Sequence, residues 1–221
     1  MGQVYCKAPA TTGAFCLSEA GPTAVVFDVG NVLFQWNLRF LFSKLIADPA
    51  ELEWFVTHVV TEEWHFQSDA GRPLAEMVPE LKSAFPAHGA LIDAYVERFN
   101  ETLPAAVPGT HGLVERLASR GVPLFALSNF GAEFWAKFRP EQAIFDHFGL
   151  CVISGQERCA KPDPAIYATL DQRCGVPAGQ LLFVDDRADN IAAAVARGWH
   201  GHLFTHAEAL EAELLIHGLI A

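Results

Sequence analysis

Five short runs of apolar residues recur along the chain and predict five buried β-strands. They cover residues 24–28, 122–129, 150–154, 181–186 and 200–204. The runs are continuous rather than alternating, which is typical of parallel strands that are covered on both faces. Apolar residues at helical spacing follow the later strands, near residues 131–145, 163–174 and 187–197 and at the C-terminus. This alternation predicts an α/β fold with a parallel, doubly wound, Rossmann-like sheet.

The segment between the first two predicted strands has a different pattern. Residues 38–103 show no strand pattern, and their apolar residues recur at three- and four-residue spacing. Breaker sequences divide the segment into about four helices, and they lie at Asp48-Pro49, 68–73 and 85–89. We therefore expect an α/β core that is interrupted by an all-helical insert. The core would cover residues 21–36 and 105–221, and the insert would cover residues 37–104.

Composition and charge restrict the classes of function. The 221 residues are 51% hydrophobic and 19% charged, which favours a folded globule with its own core. The net charge is −11 and no cluster of Lys and Arg occurs, so neither nucleic acid nor an anionic membrane is an expected partner. The five cysteines are scattered without a C-x-x-C pair, which favours reduced thiols and a cytoplasmic location. Residues 1–20 lack the apolar core of a signal peptide and are expected to form a poorly ordered leader.

Polar residues follow four of the predicted strands, where the ligand site of a parallel α/β sheet is expected. The first strand ends in Asp28, and the second ends in Ser128 and Asn129. Lys161 follows the third strand, and the acidic pair Asp185-Asp186 ends the fourth. Asp28 alone could also be a helix cap or a turn residue, and Ser128 and Asn129 commonly start loops. The adjacent acids Asp185 and Asp186 repel one another unless a cation or strong donors compensate, which favours a functional role. Together, all of these residues offer a nucleophile, hydroxyl and amide donors, a cation and an acidic pair.

The order of these residues resembles that of the haloacid dehalogenase superfamily of hydrolases. The motifs of that family run from a nucleophilic Asp through Ser or Thr and Lys to an acidic pair. In this chain they correspond to "FDVGNVLF", "LFALSN", "KPDPAIY" and "FVDDRADN". The resemblance covers residues 23 to about 205 and is to the phosphatase-like branch of the capped subfamily I. The predicted helical insert lies where that subfamily places its cap domain.

The resemblance implies a phosphomonoester hydrolase that forms an aspartyl-phosphate intermediate on Asp28. A phosphate dianion cannot readily approach a carboxylate, so Mg²⁺ would be required. The implied metal ligands are the carboxylates of Asp28, Asp185 and Asp186 and the backbone carbonyl of Gly30. Lys161, Ser128 and Asn129 would complete the catalytic site. The implied partner is a small phosphorylated metabolite, for example a sugar phosphate.

One position departs from the pattern of the family's phosphatases. Most of them carry a second Asp, a general acid and base, where this chain has Gly30. Gly30 keeps the carbonyl but loses the acid, and general acid–base catalysis is typically worth about 10²–10⁴-fold in rate. A neighbouring side chain such as Asn31, or a residue of the cap, could partly take over this role. The residues predicted to contact substrate are Asn31, Trp64, His65, Arg72 and Asn190.

Two alternatives stay open at this point. A metal-independent 2-haloacid dehalogenase would also form an ester on Asp28, and a leaving halide needs no proton, so Gly30 would be no disadvantage. A metal-free site for an anionic substrate, however, has no use for the Asp185-Asp186 pair. The other alternative is a catalytically weak phosphoryl-sensing or protein-binding module. Receiver domains of that kind carry the acidic pair before the acceptor Asp, and here the order is reversed. The sequence leaves a monomer and a homodimer equally open.

Overall fold

A single parallel β-sheet forms the centre of the protein. The computed structural model describes residues 21–221. The strands are β1 (Ala24–Phe27), β2 (Leu124–Ser128), β3 (Leu150–Ile153), β4 (Leu181–Asp185) and β5 (His200–Leu203). Their order across the sheet is β3-β2-β1-β4-β5, and all neighbours are parallel. Val25 of the central strand β1 pairs with Leu124 on one side and with Leu182 on the other. The predicted Rossmann-like α/β fold is confirmed.

Five of the six α-helices that the described chain places between β1 and β2 belong to the insert, and the sixth, α6 (Thr110–Ser119), belongs to the core. The five helices of the insert are α1 (Leu38–Phe42), α2 (Pro49–His58), α3 (Glu62–Asp69), α4 (Leu74–Ala84) and α5 (Gly89–Glu97). The sequence pattern predicted about four helices, and the structure corrects that number. The apolar periodicity runs through residues 50–66, but the helix stops at His58 and a new one begins after Thr61. The Thr61 hydroxyl accepts a hydrogen bond from the Trp64 N–H at 3.0 Å and caps α3.

The remaining helices cover both faces of the sheet. They are α6 (Thr110–Ser119), α7 (Ala132–Phe138), α8 (Ser154–Glu157), α9 (Pro164–Cys174), α10 (Ala188–Ala196) and α11 (Ala207–Ile216). Helices α6, α7 and α11 pack on the face that includes Val25 and Phe27, and α9 and α10 pack on the face that includes Ala24 and Val26. Because both faces are buried, the strand runs are continuously apolar. The predicted helix near 131–145 is shorter than expected: it ends at Phe138, and two short 3₁₀ segments follow.

The helical insert packs directly against the core. Phe99, in a 3₁₀ segment after α5, stacks on Phe134 of α7 with ring centroids 3.8 Å apart. The two connections between insert and core run side by side and are joined by hydrogen bonds. These run from Gln35 N–H to Ala105 O, from Asn37 N–H to Thr102 O and from Val107 N–H to Leu33 O, each 3.0 Å long. The insert is therefore attached through a pair of adjacent, mutually bonded connections.

Three earlier expectations concern thiols, membranes and the N-terminus. Cys151, Cys159 and Cys174 carry free thiols, whereas Cys6 and Cys16 lie in the predicted leader, outside the described residues. Among the helices of residues 21–221, none combines the length and the apolar character that a membrane crossing requires. The prediction of a leader in residues 1–20 likewise falls outside the described residues.

Candidate active site

A buried lysine joins the ends of β1 and β4. Asp28 directly follows β1, is only 8% exposed and accepts a hydrogen bond from the Val29 N–H at 2.7 Å. The Lys161 ammonium lies 2.9 Å from Asp28 Oδ1 and 2.6 Å from Asp185 Oδ2. Burial alone would lower the pKa of Lys161, but the two carboxylates outweigh it and raise that pKa. Lys161 is therefore a fixed positive charge between two carboxylates.

The two members of the acidic pair have different surroundings. Both oxygens of Asp185 are held by protein donors, because Asn190 Nδ2 lies 3.0 and 3.1 Å from them and the Arg187 N–H lies 2.8 Å from Oδ1. Asp185 is fully buried. Asp186 is partly exposed and lines a cavity together with Asp28. Asp185 is thus fixed as the partner of Lys161, and Asp186 is open to a ligand.

Three carboxylates meet in a small volume. Asp28, Asp185 and Asp186 each offer an oxygen, and these oxygens lie within 4.8 Å of one another. Burial raises the pKa of Asp28 to about 7; Lys161 opposes that rise, and the charges of Asp185 and Asp186 add to it. Burial also raises the pKa of Asp186, and the Asp185 charge reinforces the effect. Such a group of hard oxygen donors with excess negative charge fits Mg²⁺, and Gly30 lines the same cavity.

The loop that carries Lys161 is held by the side chain of Asn129. Asn129 Oδ1 accepts a hydrogen bond from the Lys161 N–H at 2.8 Å, and its Nδ2 donates to the Lys161 carbonyl at 3.0 Å. The structure therefore gives Asn129 a positioning contact in addition to its place in the cavity lining. Ser128 is buried at the end of β2 and is not among the described residues that line the cavity. Ser154, which sequence reasoning missed, accepts the Phe130 N–H at 3.0 Å and fixes the next residue of the loop.

The cavity above these residues has a volume of about 670 Å³ and lies between the sheet and the helical insert. Apolar side chains from both parts line it, namely Trp36, Phe66, Phe99, Leu103 and Phe130. Of the predicted substrate residues, Asn31 and His65 border the cavity. The left-handed backbone at Asn31, with φ of 55°, is one that Asn tolerates better than most residues.

The structure does not bring Trp64, Arg72 or Asn190 to the described lining of the cavity. Trp64 packs edge-to-face on Tyr95, with ring centroids 5.8 Å apart. Arg72 donates hydrogen bonds to Gln67 and Glu80. Asn190 is buried against Asp185 instead. The placement of these three side chains at the substrate is therefore corrected, because other partners in the fold already engage them.

Three buried polar side chains of the insert contact one another in a row, and two of them, His65 and Asp69, line the cavity. The Tyr95 hydroxyl lies 2.5 Å from His65 Nδ1, and His65 Nε2 lies 3.4 Å from Asp69 Oδ2. Burial lowers the pKa of His65 to about 4, so the ring is neutral near pH 7. In the tautomer that carries its proton on Nε2, Tyr95 donates to Nδ1 and Nε2 faces Asp69.

Sequence reasoning missed Asp69, which is 6% exposed and lines the same cavity as Asp28 and Lys161. Asp69 lies in "SDAGRP", residues 68–73, which the sequence pattern predicts to be a break between two helices. The available signal was the spacing of His65 and Asp69, because residues four apart share one face of a helix.

Comparisons with known proteins agree with this geometry. The family model described as "haloacid dehalogenase-like hydrolase" matches residues 22–198. The sesquiterpene phosphatase astK of Aspergillus oryzae is 27% identical over 194 residues, which cover 86% of this chain and 94% of that protein.

Two solved structures illustrate the similarity of fold. The HAD family enzyme bt-2542 of Bacteroides thetaiotaomicron, solved in complex with magnesium and inorganic phosphate, has a TM-score of 0.63 and 22% identity, covering 84% of this chain and 96% of that one. The L-2-haloacid dehalogenase of Xanthobacter autotrophicus has a TM-score of 0.60 and 21% identity, covering 90% of this chain and 84% of that one. At these identities the likeness shows the fold alone.

Proposed function

Because this chain belongs to the haloacid dehalogenase-like hydrolases, we propose that it is a Mg²⁺-dependent phosphomonoester hydrolase that works through an aspartyl-phosphate on Asp28. The observation that carries the proposal is the cluster of Asp28, Asp185 and Asp186. A metal-free reaction on an anionic substrate would be hindered by this charge, whereas a divalent cation uses it. The phosphatase name of the relative from Aspergillus oryzae and the magnesium and phosphate in the Bacteroides enzyme support the same proposal.

Each residue of the site has a part in this reaction. Asp28 attacks the phosphorus atom, and Lys161 stabilises the charge on the nucleophile and on the phosphoryl oxygens. Asn129 fixes the backbone of Lys161, and Asp185 fixes its ammonium group. When bound, Mg²⁺ would be held by Asp28, Asp186 and the Gly30 carbonyl, and it would offset the repulsion between nucleophile and phosphate. The insert of residues 37–104 acts as a cap that shields the site from water.

The lining of the cavity suggests what the phosphate is attached to. Five apolar side chains surround the space next to Asp28, and three of them, Phe66, Phe99 and Leu103, belong to the insert. This apolar part of the lining, which lies beside polar residues such as Asn37 and Glu62, favours an apolar alcohol, because apolar surface leaves water when it is covered there. The relative from Aspergillus oryzae is named for a sesquiterpene substrate. We therefore place hydrocarbon monophosphates ahead of the sugar phosphates expected from sequence.

A hydrolysis screen of the purified protein tests this proposal. The substrates are farnesyl monophosphate, octyl phosphate, hexose phosphates, p-nitrophenyl phosphate and 2-chloropropionate, each with Mg²⁺ and with EDTA. We expect Mg²⁺-dependent phosphate release, with a higher kcat/KM for the hydrocarbon esters than for the hexose phosphates. Chloride release that EDTA does not inhibit would instead establish the dehalogenase alternative. Preference for a hexose phosphate would retain the phosphatase and reject the apolar substrate.

The nucleophile is tested by Asp28→Asn. Because an amide cannot form the phosphoryl ester, we expect kcat to fall by at least about 10³-fold on every substrate. Asp146→Asn is the matched control, since Asp146 is exposed and paired only with Arg139 on the protein surface. Unchanged turnover in Asp28→Asn would reject the proposed mechanism. A stable phosphoprotein without turnover in the wild type would favour the phosphoryl-sensing alternative.

A further inference from the structure

Asp69 is a buried carboxyl next to the proposed reaction centre that the mechanism above does not use. It ends helix α3 and borders the cavity that also contains Asp28 and Lys161. Its Oδ1 is buried without a hydrogen-bond partner among the described residues, and Oδ2 faces His65 Nε2. It is separate from the cluster of Asp28, Asp185 and Asp186 that would hold the metal. A buried carboxyl with one unpartnered oxygen requires a physical explanation.

The surroundings of Asp69 favour its protonated form. Burial raises its pKa well above the usual value; the Gly131 N–H and the Lys161 charge oppose this rise, and the Asp28 charge adds to it. No basic side chain forms an ion pair with Asp69 among the described residues, apart from His65, whose ring is neutral. His65 Nε2 faces Oδ2, whereas Oδ1 has no hydrogen-bond partner among the described residues. Burial thus favours the protonated form of Asp69, and Asp69 lines the cavity that also contains Asp28 and Lys161.

Resting on the phosphatase function proposed above, we propose that Asp69 is the general acid and base of this enzyme. It supplies from the insert the carboxyl group that Gly30 does not provide on the core. In the first step the Asp28 oxygen forms a bond to phosphorus, the bond from phosphorus to the ester oxygen breaks, and the leaving oxygen takes the proton of Asp69. In the second step water attacks the phosphorus, gives a proton to the Asp69 carboxylate and releases inorganic phosphate from Asp28. The two steps consume one water and regenerate both carboxyl groups.

Other polar side chains that line the cavity are less suited to this role. Asn31 cannot transfer a proton as a carboxyl group does. His65 is buried and neutral near pH 7, and its Nδ1 is engaged by Tyr95. Glu62 also lines the cavity, but it is exposed and lies in the first turn of α3, whereas Asp69 is buried. Asp69 is thus the carboxyl group of the insert that is both buried and part of the lining of the cavity that contains Asp28.

The test compares leaving groups in Asp69→Asn. Octyl phosphate releases a strongly basic alkoxide that needs a proton, whereas p-nitrophenyl phosphate releases a stable phenolate. We expect kcat/KM for octyl phosphate to fall by about 10²–10⁴-fold, and kcat/KM for p-nitrophenyl phosphate to change by less than about tenfold. Because water attack also loses its base, we expect a burst of p-nitrophenol followed by slow turnover. The control Glu63→Gln, an exposed neighbour on α3 that lies outside the cavity lining, should show neither change.

A second variant distinguishes the loss of an acid and base group from a merely structural effect of the substitution. A Cβ at Gly30 would meet its nearest neighbour outside the adjacent residues, Trp36 Cβ, at 3.9 Å, which is ordinary van der Waals contact, so Gly30→Asp begins from a position without a clash at Cβ. Gly30→Asp added to Asp69→Asn should restore the octyl phosphate activity at least tenfold. Equal losses on both esters without a burst, or no recovery in the double variant, would overturn the role of Asp69. The same would follow if Glu62→Gln, and not Asp69→Asn, separated the two leaving groups. Failure of the phosphatase function itself is distinguishable, because then the wild type releases no phosphate from either ester.

Discussion

His65 illustrates how burial sets the charge of a single side chain in this protein. It stacks on Trp36 and Phe99, with ring centroids 5.2 and 5.6 Å away, and its polar neighbours are Tyr95 and Asp69. Burial lowers the pKa of His65 from 6.5 to about 4. Between these two values the unfolded chain binds a proton that the folded protein does not. The contribution of this group to stability is therefore complete above about pH 6.5 and is lost as the pH falls towards 4.

The variant His65→Gln should make the stability less dependent on acid pH. Between pH 7 and pH 4 the wild type should lose about 3 kcal/mol more unfolding free energy than the variant, as an upper figure. Asp69 titrates in both proteins, so its own effect largely cancels in the difference. Urea denaturation at several pH values measures this difference. Parallel pH profiles for the two proteins would contradict a buried neutral His65.

Among individual residues, the sequence pattern identified some members of the candidate site and missed others. The residues found from sequence lie at the ends of strands or in a proline-containing loop, namely Asp28, Lys161, Asp185 and Asp186. The carboxyl ends of parallel strands meet at one edge of the sheet, so the sheet itself brings these residues together. Asp69 follows no strand, and its importance depends on where the insert meets the core, which local pattern does not encode. Arg72 and Trp64 were assigned by proximity in sequence, and their partners Glu80 and Tyr95 became visible only in the folded structure.

The start of helix α3 is the element on which the insert's contribution to the site depends. This helix carries both His65 and Asp69, and it begins at the cap formed by Thr61. Glu62 and Glu63 in its first turn also suit the positive end of the helix dipole. The pattern of residues 50–66 could not show this start, because the apolar spacing continues across it. Helices were therefore easy to recognise in the insert, but their ends depended on cap hydrogen bonds that spacing does not reveal.

Thr61→Ala should weaken this element measurably. Removing the cap hydrogen bond should cost about 1 kcal/mol of unfolding free energy, or a decrease of about 2–4 °C in Tm. Thr61→Ser, which keeps the hydroxyl, should recover most of the loss. Thr57→Ala on α2 is the control, since the exposed Thr57 hydroxyl bonds only the backbone of its own helix and the neighbouring His58. Equal effects at positions 57 and 61 in thermal melts would contradict the capping role.

At the scale of the whole molecule, the acidic cluster of the core and the helical insert contribute to one cavity, and neither part forms it alone. The parallel sheet followed from the sequence, since the continuous apolar runs of buried strands differ from the three- and four-residue spacing of helices. The strand order did not, because nothing local specifies that β1 lies between β2 and β4. The apolar lining was equally hidden, because it combines side chains from the insert with Phe130 of the core. Selectivity for substrate is thus a property of the assembled molecule.

Mg²⁺ should stabilise the whole protein through the cluster. A cation at 100 times its Kd adds about 2.7 kcal/mol if it binds only the folded state, so Tm should rise by several degrees compared with EDTA. Asp186→Asn should remove this response. It should also raise the Tm in EDTA, because it removes one of the three mutually repelling carboxylates. Differential scanning fluorimetry measures both changes, and a full Mg²⁺ response in Asp186→Asn would contradict the assignment of the metal ligands.

The strand order has a consequence for how the protein is made. β1 precedes the other strands of residues 21–221, and its two neighbours in the sheet, β2 and β4, are synthesised much later. Its residues Ala24–Phe27 are entirely apolar and fully buried in the finished fold. These residues therefore have no strand partner during the first part of synthesis. The insert, whose contacts include many local ones, can begin to fold in that time. During synthesis this short apolar segment stays without its sheet neighbours, and the sheet can close around it only after β4 has been made.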